Sequence, residues 1–265
     1  MRKLGMGHAL FAFAVMGLAL LSLVYGNFAP LLEPSPAGPW REVLAHVAGA
    51  ILLAAGAGLL FARTAPAGAL LIAGFGVIWA ISRAHLLLLE PSSVGSWYAV
   101  AEALGPLLGA AILFMGLRRH DDGSAPTAMP RDRALRVARV LFGAACVAYG
   151  AAHFAYAPFT ASMVPAWIPG RTAVAYFTGV GHAAAGLSLL SGLLPRLAAT
   201  LEALMMALFG LLVWLPSFFL HPAPTWAGSP QNQWSETLLT FLLAASAAIV
   251  AASLRRAPWG FARNA

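Results

Sequence analysis

Apolar residues run through this chain in long blocks, broken by short clusters of proline, glycine and charge. Blocks at about 8–26, 42–62, 66–89, 97–117, 135–156, 172–194, 197–220 and 235–254 each approach the roughly 20 residues that a helix needs to cross a bilayer. Most of their length lacks the polar stripe of a helix lying on a soluble core. The pattern therefore predicts an all-α polytopic membrane protein with eight transmembrane helices. Pro34, Pro36 and Pro39 precede the second block, Pro66 the third and Pro91 the fourth, so the breaks carry residues that end or restart helices.

The blocks fall into two sets of four. Tyr25, Trp40, His46, Arg63, Trp79 and Glu102 recur as Tyr149, Trp167, His182, Arg196, Trp214 and Glu236, at offsets of 124, 127, 136, 133, 135 and 134 residues. A unit of four spans begins and ends on the same face. The recurrence thus predicts two parallel four-helix repeats related by an axis along the membrane normal. The expected division is 1–120 for the first repeat, 121–134 for a cytoplasmic linker and 135–265 for the second. Gly49, Gly56, Gly179 and Gly186 would admit close helix packing.

Composition agrees: 60% of residues are hydrophobic and 9% charged, against about 25% charged in a soluble domain. Of 16 Lys and Arg residues, 13 cluster at the N-terminus or in alternate connections, and only Arg41, Arg83 and Arg171 fall on the other side. The positive-inside rule then expects a bacterial inner-membrane protein with both termini in the cytoplasm. The net charge of +7 thus serves topology and anionic lipid, with no nucleic-acid partner. Met1–Asn27 starts like a signal peptide, but its apolar core is too long and has a counterpart at 135–156, so it reads as a retained span. A single cysteine, Cys146, rules out a disulfide or dithiol couple within one chain.

Ionisable residues inside apolar spans are costly, and they direct attention to a site. His46 lies about five residues, or about 8 Å, into the second span, and His182 about ten residues into the sixth, near the midplane. Each reads as a neutral core histidine, or as a proton carrier, a quinone hydrogen-bond donor or a metal or haem ligand. Their unequal depths disfavour a shared haem. Glu102 lies inside the fourth span with Arg83 as its expected partner and His85 nearby. Tyr149, His153 and Tyr156 share one helical face at i, i+4 and i+7, and with His182 they outline a polar pocket. Trp167 and the other tryptophans of the outer connections form an interfacial belt or the lid of a cavity. Glu236 is placed nearer the interface, and Glu202 is expected to pair with Arg196 or snorkel. No phosphate loop, zinc-protease motif, cysteine cluster or nucleophile elbow occurs, and no metal site is assigned.

The second half, with His153-Phe154, Val164-Pro165, Trp167-Ile168-Pro169, Thr178-Gly179, Gly186 and Arg196 before Ala198-Ala199, resembles the DoxX-like family of small bacterial membrane proteins. The likeness covers about 100 residues there and more faintly the first half. Members typically have four spans, so the resemblance implies a fused pair. Relatives include a subunit of thiosulfate:quinone oxidoreductases, which implies a quinone-interacting redox protein or membrane subunit, with a redox partner protein and membrane lipids around it. The family often carries an acidic residue where this chain has His182, so that chemistry does not transfer directly. The expected proton-relaying or ligand-contacting groups are His182, His153, Tyr149 and Glu102, with His46, Arg83 and Trp167 as further contacts to a cofactor. A small-molecule transporter or binder with its site between the repeats, and a non-catalytic scaffold for a partner, are the alternatives.

Overall fold

The computed structural model describes residues 5–30, 32–118, 128–255, 257 and 259. Nine helices organise them: α1 (Met6–Tyr25), α2 (Arg41–Leu59), α3 (Ala65–Leu89), α4 (Val94–Arg118), α5 (Ala128–Ala155), α6 (Ala157–Met163), α7 (Arg171–Ser191), α8 (Pro195–Ser217) and α9 (Pro230–Ser253). All but the short α6 are long and apolar enough to cross a membrane. The chain is an all-α, multi-pass membrane protein, as the hydrophobic blocks predict. Eight crossings return the chain to the face it started from. Of the linker expected at 121–134, residues 121–127 lie outside the described part, and the remainder belongs to α5.

Three local departures from the expected spans have physical causes. Helix α9 begins five residues earlier than the apolar block, because the Ser229 side chain accepts the Asn232 N–H and Pro230 occupies the first turn. Helix α6 forms within a stretch that reads as loop, again with proline in its first turn. Helix α8 is α-helical to Phe209, turns π-helical over Gly210–Trp214 and resumes at Leu215. A π-turn takes up an extra residue. The offset between the halves rises from 133 at Arg63/Arg196 to 135 at Trp79/Trp214 across this segment.

The spanning helices pack in chain order around a closed ring, α1 through α5, then α7, α8 and α9, with α9 against α1. The ring is pinched where α4 packs on α9. Two lobes result. The first holds α1, α2 and α3, the second α5, α7 and α8, and both share α4 and α9, the most buried helices of the molecule. Exchanging each helix of one half for its counterpart leaves this set of principal packing pairs unchanged.

In a bilayer, apolar side chains gain little by leaving lipid for protein, so close contact of small residues holds helices together. At Gly68 on α3, an added Cβ would lie 2.5 Å from the Ala55 carbonyl oxygen of α2. Backbone meets backbone there. A core of Phe11, Leu52, Ile72, Phe142, Leu239 and Leu242 fills the rest of the interior.

Candidate functional site

A cavity of about 1030 Å³ opens between α7 and α8, with further walls from α4, α5, α6 and α9. Its lining is overwhelmingly apolar, and several lining residues, including Phe177, Leu201, Leu204 and Leu208, are also exposed on the outer surface of the helix bundle. The cavity therefore gives onto the lipid-facing side. That volume suits a drug-sized or lipid-sized ligand.

Its polar groups gather in one cluster. His182 lies eleven residues into α7, about 16 Å along the helix. Its Nδ1 is 2.8 Å from Glu202 Oε1 on α8, with both side chains buried, and this is the ion pair found among the described residues. The Cys146 thiol lies beside the same carboxyl. His153, on α5, sets its Nδ1 2.9 Å from Thr178 Oγ1 and 3.3 Å from the Ala175 carbonyl oxygen of α7. The two imidazoles meet edge to face with centroids 4.9 Å apart. Phe209 stacks on His153 and meets His182 edge-on, at 5.8 Å from each.

Close helix approach makes this cluster possible. A Cβ on Gly179 would fall 2.9 Å from His153 Cβ, so the glycine lets α5 close on α7 and seats His153 against Thr178. On the other side, Tyr149 meets His182 edge-on at 5.7 Å and donates its hydroxyl to the Ala101 carbonyl at 2.8 Å, fastening α5 to α4. Tyr98 of α4 packs on Tyr149 and hydrogen-bonds Glu102. Glu236 of α9 lines the same cavity. Among the described residues, Glu202 Oε2 and Glu236 Oε1 are buried without a hydrogen-bond partner.

His182, His153, Tyr149 and Glu102, the four groups expected to carry chemistry, thus line one cavity. The three expected ligand contacts do not join them. His46 donates Nδ1–H to the Glu42 carbonyl of its own helix at 2.8 Å. Trp167 stands 72% exposed between α6 and α7. Arg83 lines a separate cavity of about 490 Å³ in the first lobe, with Asn27, Glu33 and His85. The expected Arg83–Glu102 ion pair is not formed, and Arg83 Nη2 donates instead to the Glu33 backbone carbonyl at 3.5 Å.

Four residues went unrecognised as site or cavity groups in the sequence. Glu202 does not snorkel or pair with Arg196, because six residues along a helix place two side chains on different faces. Arg196 donates to the Arg255 carbonyl at 3.0 Å, and its guanidinium lies 4.0 Å from the Trp259 ring centroid. Glu236, buried and not interfacial, and Tyr98 line the same cavity as Glu202. Glu33, in the α1–α2 connection, accepts the Ala29 N–H at 2.6 Å and the Ser22 hydroxyl at 3.2 Å. Burial pushes its carboxyl above the ordinary value, and these two hydrogen bonds oppose that shift.

Fold and site together define a polytopic helical membrane protein with a ligand-sized, lipid-facing cavity in one of two lobes. Comparison with protein-family models, curated proteins and solved structures finds no match.

Proposed function

We propose that the second lobe binds a quinone-type ligand from the bilayer, and that the protein is a quinone-interacting redox protein or membrane subunit of DoxX-like type. The observation that carries this reading is a large apolar cavity on the lipid side that ends in a compact cluster of His153, His182 and Glu202. An isoprenoid tail suits the apolar walls, and a flat head group suits the edges of Phe209 and Tyr149. Quinone and quinol differ by two protons as well as two electrons, and the buried imidazoles and carboxyls supply groups for the protons. Electrons come from a partner redox protein. The arginine-rich face lies in the cytoplasm of a bacterial inner membrane, which leaves α6 and the tryptophan-rich connections on the opposite side.

The test is mass spectrometry of lipids extracted from protein purified in a mild detergent. Co-purifying quinone at near-stoichiometric amounts, lost in His182→Ala, is the expected result. Protein that carries none, and shows no quinone-dependent spectral change on titration, would sink the reading.

A transporter reading draws on one observation, the π-turn at Gly210–Trp214 in the cavity wall, since such turns recur at functional sites. Uptake into proteoliposomes that depends on His182 would favour it.

A further inference from the structure

We propose that the smaller cavity of the first lobe binds an anionic phosphate group, with the guanidinium of Arg83 as its anchor. A lipid head group at the membrane surface is the source that its position favours. The site is independent of what the second lobe binds.

Asn27, Glu33 and Ser35 of the α1–α2 connection face Ser82, Arg83 and His85 of α3 across about 490 Å³. The connection is fastened from within. Glu33 gives its N–H to the Ala29 carbonyl at 3.1 Å and accepts the Ala29 N–H on Oε2 at 2.6 Å. Ser22 of α1 donates to the same carboxyl oxygen. Asn27 Oδ1 accepts the Phe28 N–H at 3.0 Å, and its Nδ2 donates to Gln231 Oε1 of α9 at 3.4 Å. On α3, Ser82 gives its hydroxyl to the Trp79 carbonyl, and His85 gives Nδ1–H to the Ser82 carbonyl. These groups are matched within the protein. His85 Nε2 and the Ser35 hydroxyl, on exposed residues, remain for the rim.

Arg83 is not matched. Half-buried, it directs Nη2 at the Glu33 carbonyl oxygen over a long 3.5 Å, and its Nε is enclosed with no partner. Nη1 makes no hydrogen bond among the described residues, and none of their carboxylates stands within ion-pair distance. Glu102 of α4, the acidic group that faces it, is engaged by Tyr98. Glu33 lines the cavity too, but burial pushes its carboxyl above the ordinary value, towards the neutral form. A guanidinium drawn from water without a counter-charge is costly, and its planar fork matches the oxygens of a phosphate. The open Nη groups, and not the enclosed Nε, meet those oxygens.

Helix α3 has 25 residues and is about 37 Å long, more than the roughly 30 Å of a hydrocarbon core. Arg83 lies six residues before its last residue, Leu89, or about 9 Å along the axis. An arginine side chain extends over such a distance to the interface. Ile81 and Leu88, on either side of Arg83 in the chain, are exposed on the outer surface of the bundle, so the same stretch of α3 borders lipid. Basic pockets beside transmembrane helices hold lipid head groups in this way.

The experiment is native mass spectrometry of the full chain in detergent with phosphatidylglycerol, with diacylglycerol of the same chains and with inorganic phosphate. Phosphatidylglycerol is expected to bind, and Arg83→Gln to weaken it at least about tenfold. Arg171→Gln, which removes an exposed arginine from the same face, should leave it unchanged. Equal losses in the two variants, or diacylglycerol bound as tightly as phosphatidylglycerol, would overturn the site. Should Arg83→Gln fail to fold, the parent protein still decides. A phosphatidylglycerol carrying a photoreactive group on its head should label residues 27–35 or 82–85, and labelling confined to other segments overturns the proposal. Displacement of that label by millimolar inorganic phosphate assigns free phosphate as the ligand, and resistance to it assigns the lipid. Glu33→Gln should bind at least as well as the parent. Loss of binding in that variant at unchanged melting temperature would show that the cavity reads a cation, and would sink the anion site.

Discussion

Helices α2 and α3 of the first lobe and α7 and α8 of the second hold equivalent places in the ring, yet they meet in different ways. At Gly68 the first pair brings backbone against backbone. In the second pair a side chain bridges the gap, with Met205 Sδ 3.1 Å from where a Cβ on Gly181 would stand, and the large cavity lies beside it. At an offset of 133 or 134, Glu202 falls opposite Ala69 or Gly68, both small and buried. A carboxyl in place of a small residue requires space and a partner, and His182 is that partner. At these helix pairs the first lobe is closely packed, and the second opens into the larger cavity.

The strongest way to break this contrast is to remove the carboxyl. Glu202→Ala leaves His182 without its buried partner and is expected to cost about 3 kcal/mol. Thermal unfolding in nanodiscs reads this directly, and Glu202→Gln, which keeps an acceptor for Nδ1–H, should recover much of the loss. An alanine variant that melts with the parent protein would show that the pair does not hold the second lobe. Next in size is Gly68→Ala, which forces α3 away from α2 at a site where atoms already touch. Its expected cost is about 1–3 kcal/mol, with ligand binding in the other lobe unaffected. Loss of binding at intact stability would mean that the lobes are not separate in role.

Gly179→Ala sharpens the contrast from inside the second lobe. The new methyl presses on His153 Cβ, so ligand affinity should fall by roughly tenfold while stability drops by only about 1 kcal/mol. Parallel binding and melting curves separate the two effects.

The smallest change is expected at Glu33 in the first lobe. Its folded carboxyl titrates above the ordinary value near 4.5, so the fold favours the protonated form. Stability from this group is complete below about pH 4.5 and is lost as pH rises through the folded value. Glu33→Gln keeps acceptors for Ala29 and Ser22 and should therefore gain on the parent protein as pH rises. Melting temperatures at about pH 4 and about pH 8 check the sign, and a gap that shrinks with rising pH would refute it.

Length and hydropathy made the eight crossings readable, since a bilayer sets a threshold that these blocks meet without reference to any neighbour. The grouping of Tyr149 with His153 was readable for a related reason, because i, i+4 spacing fixes a shared face on one helix. Glu202 was not. Its role depends on which way α8 is turned, and that is set by contacts with α9 and α7 that no local pattern encodes. His46 shows the reverse failure: it matches His182 in sequence but bonds to its own helix. Glu33 stayed hidden because a connection between spans reads as solvated, whereas this one folds back and buries its carboxyl.

The sharing of α4 and α9 by both lobes bears on how such a chain can be cut. Tyr98 and Glu102 belong to the first half by order along the chain but stand in the wall of the second lobe's cavity. A fission product that begins after Arg118 would lack that wall and leave α5 and α9 with an uncovered flank. The second lobe's cavity is complete only where the two fragments reassemble in one membrane.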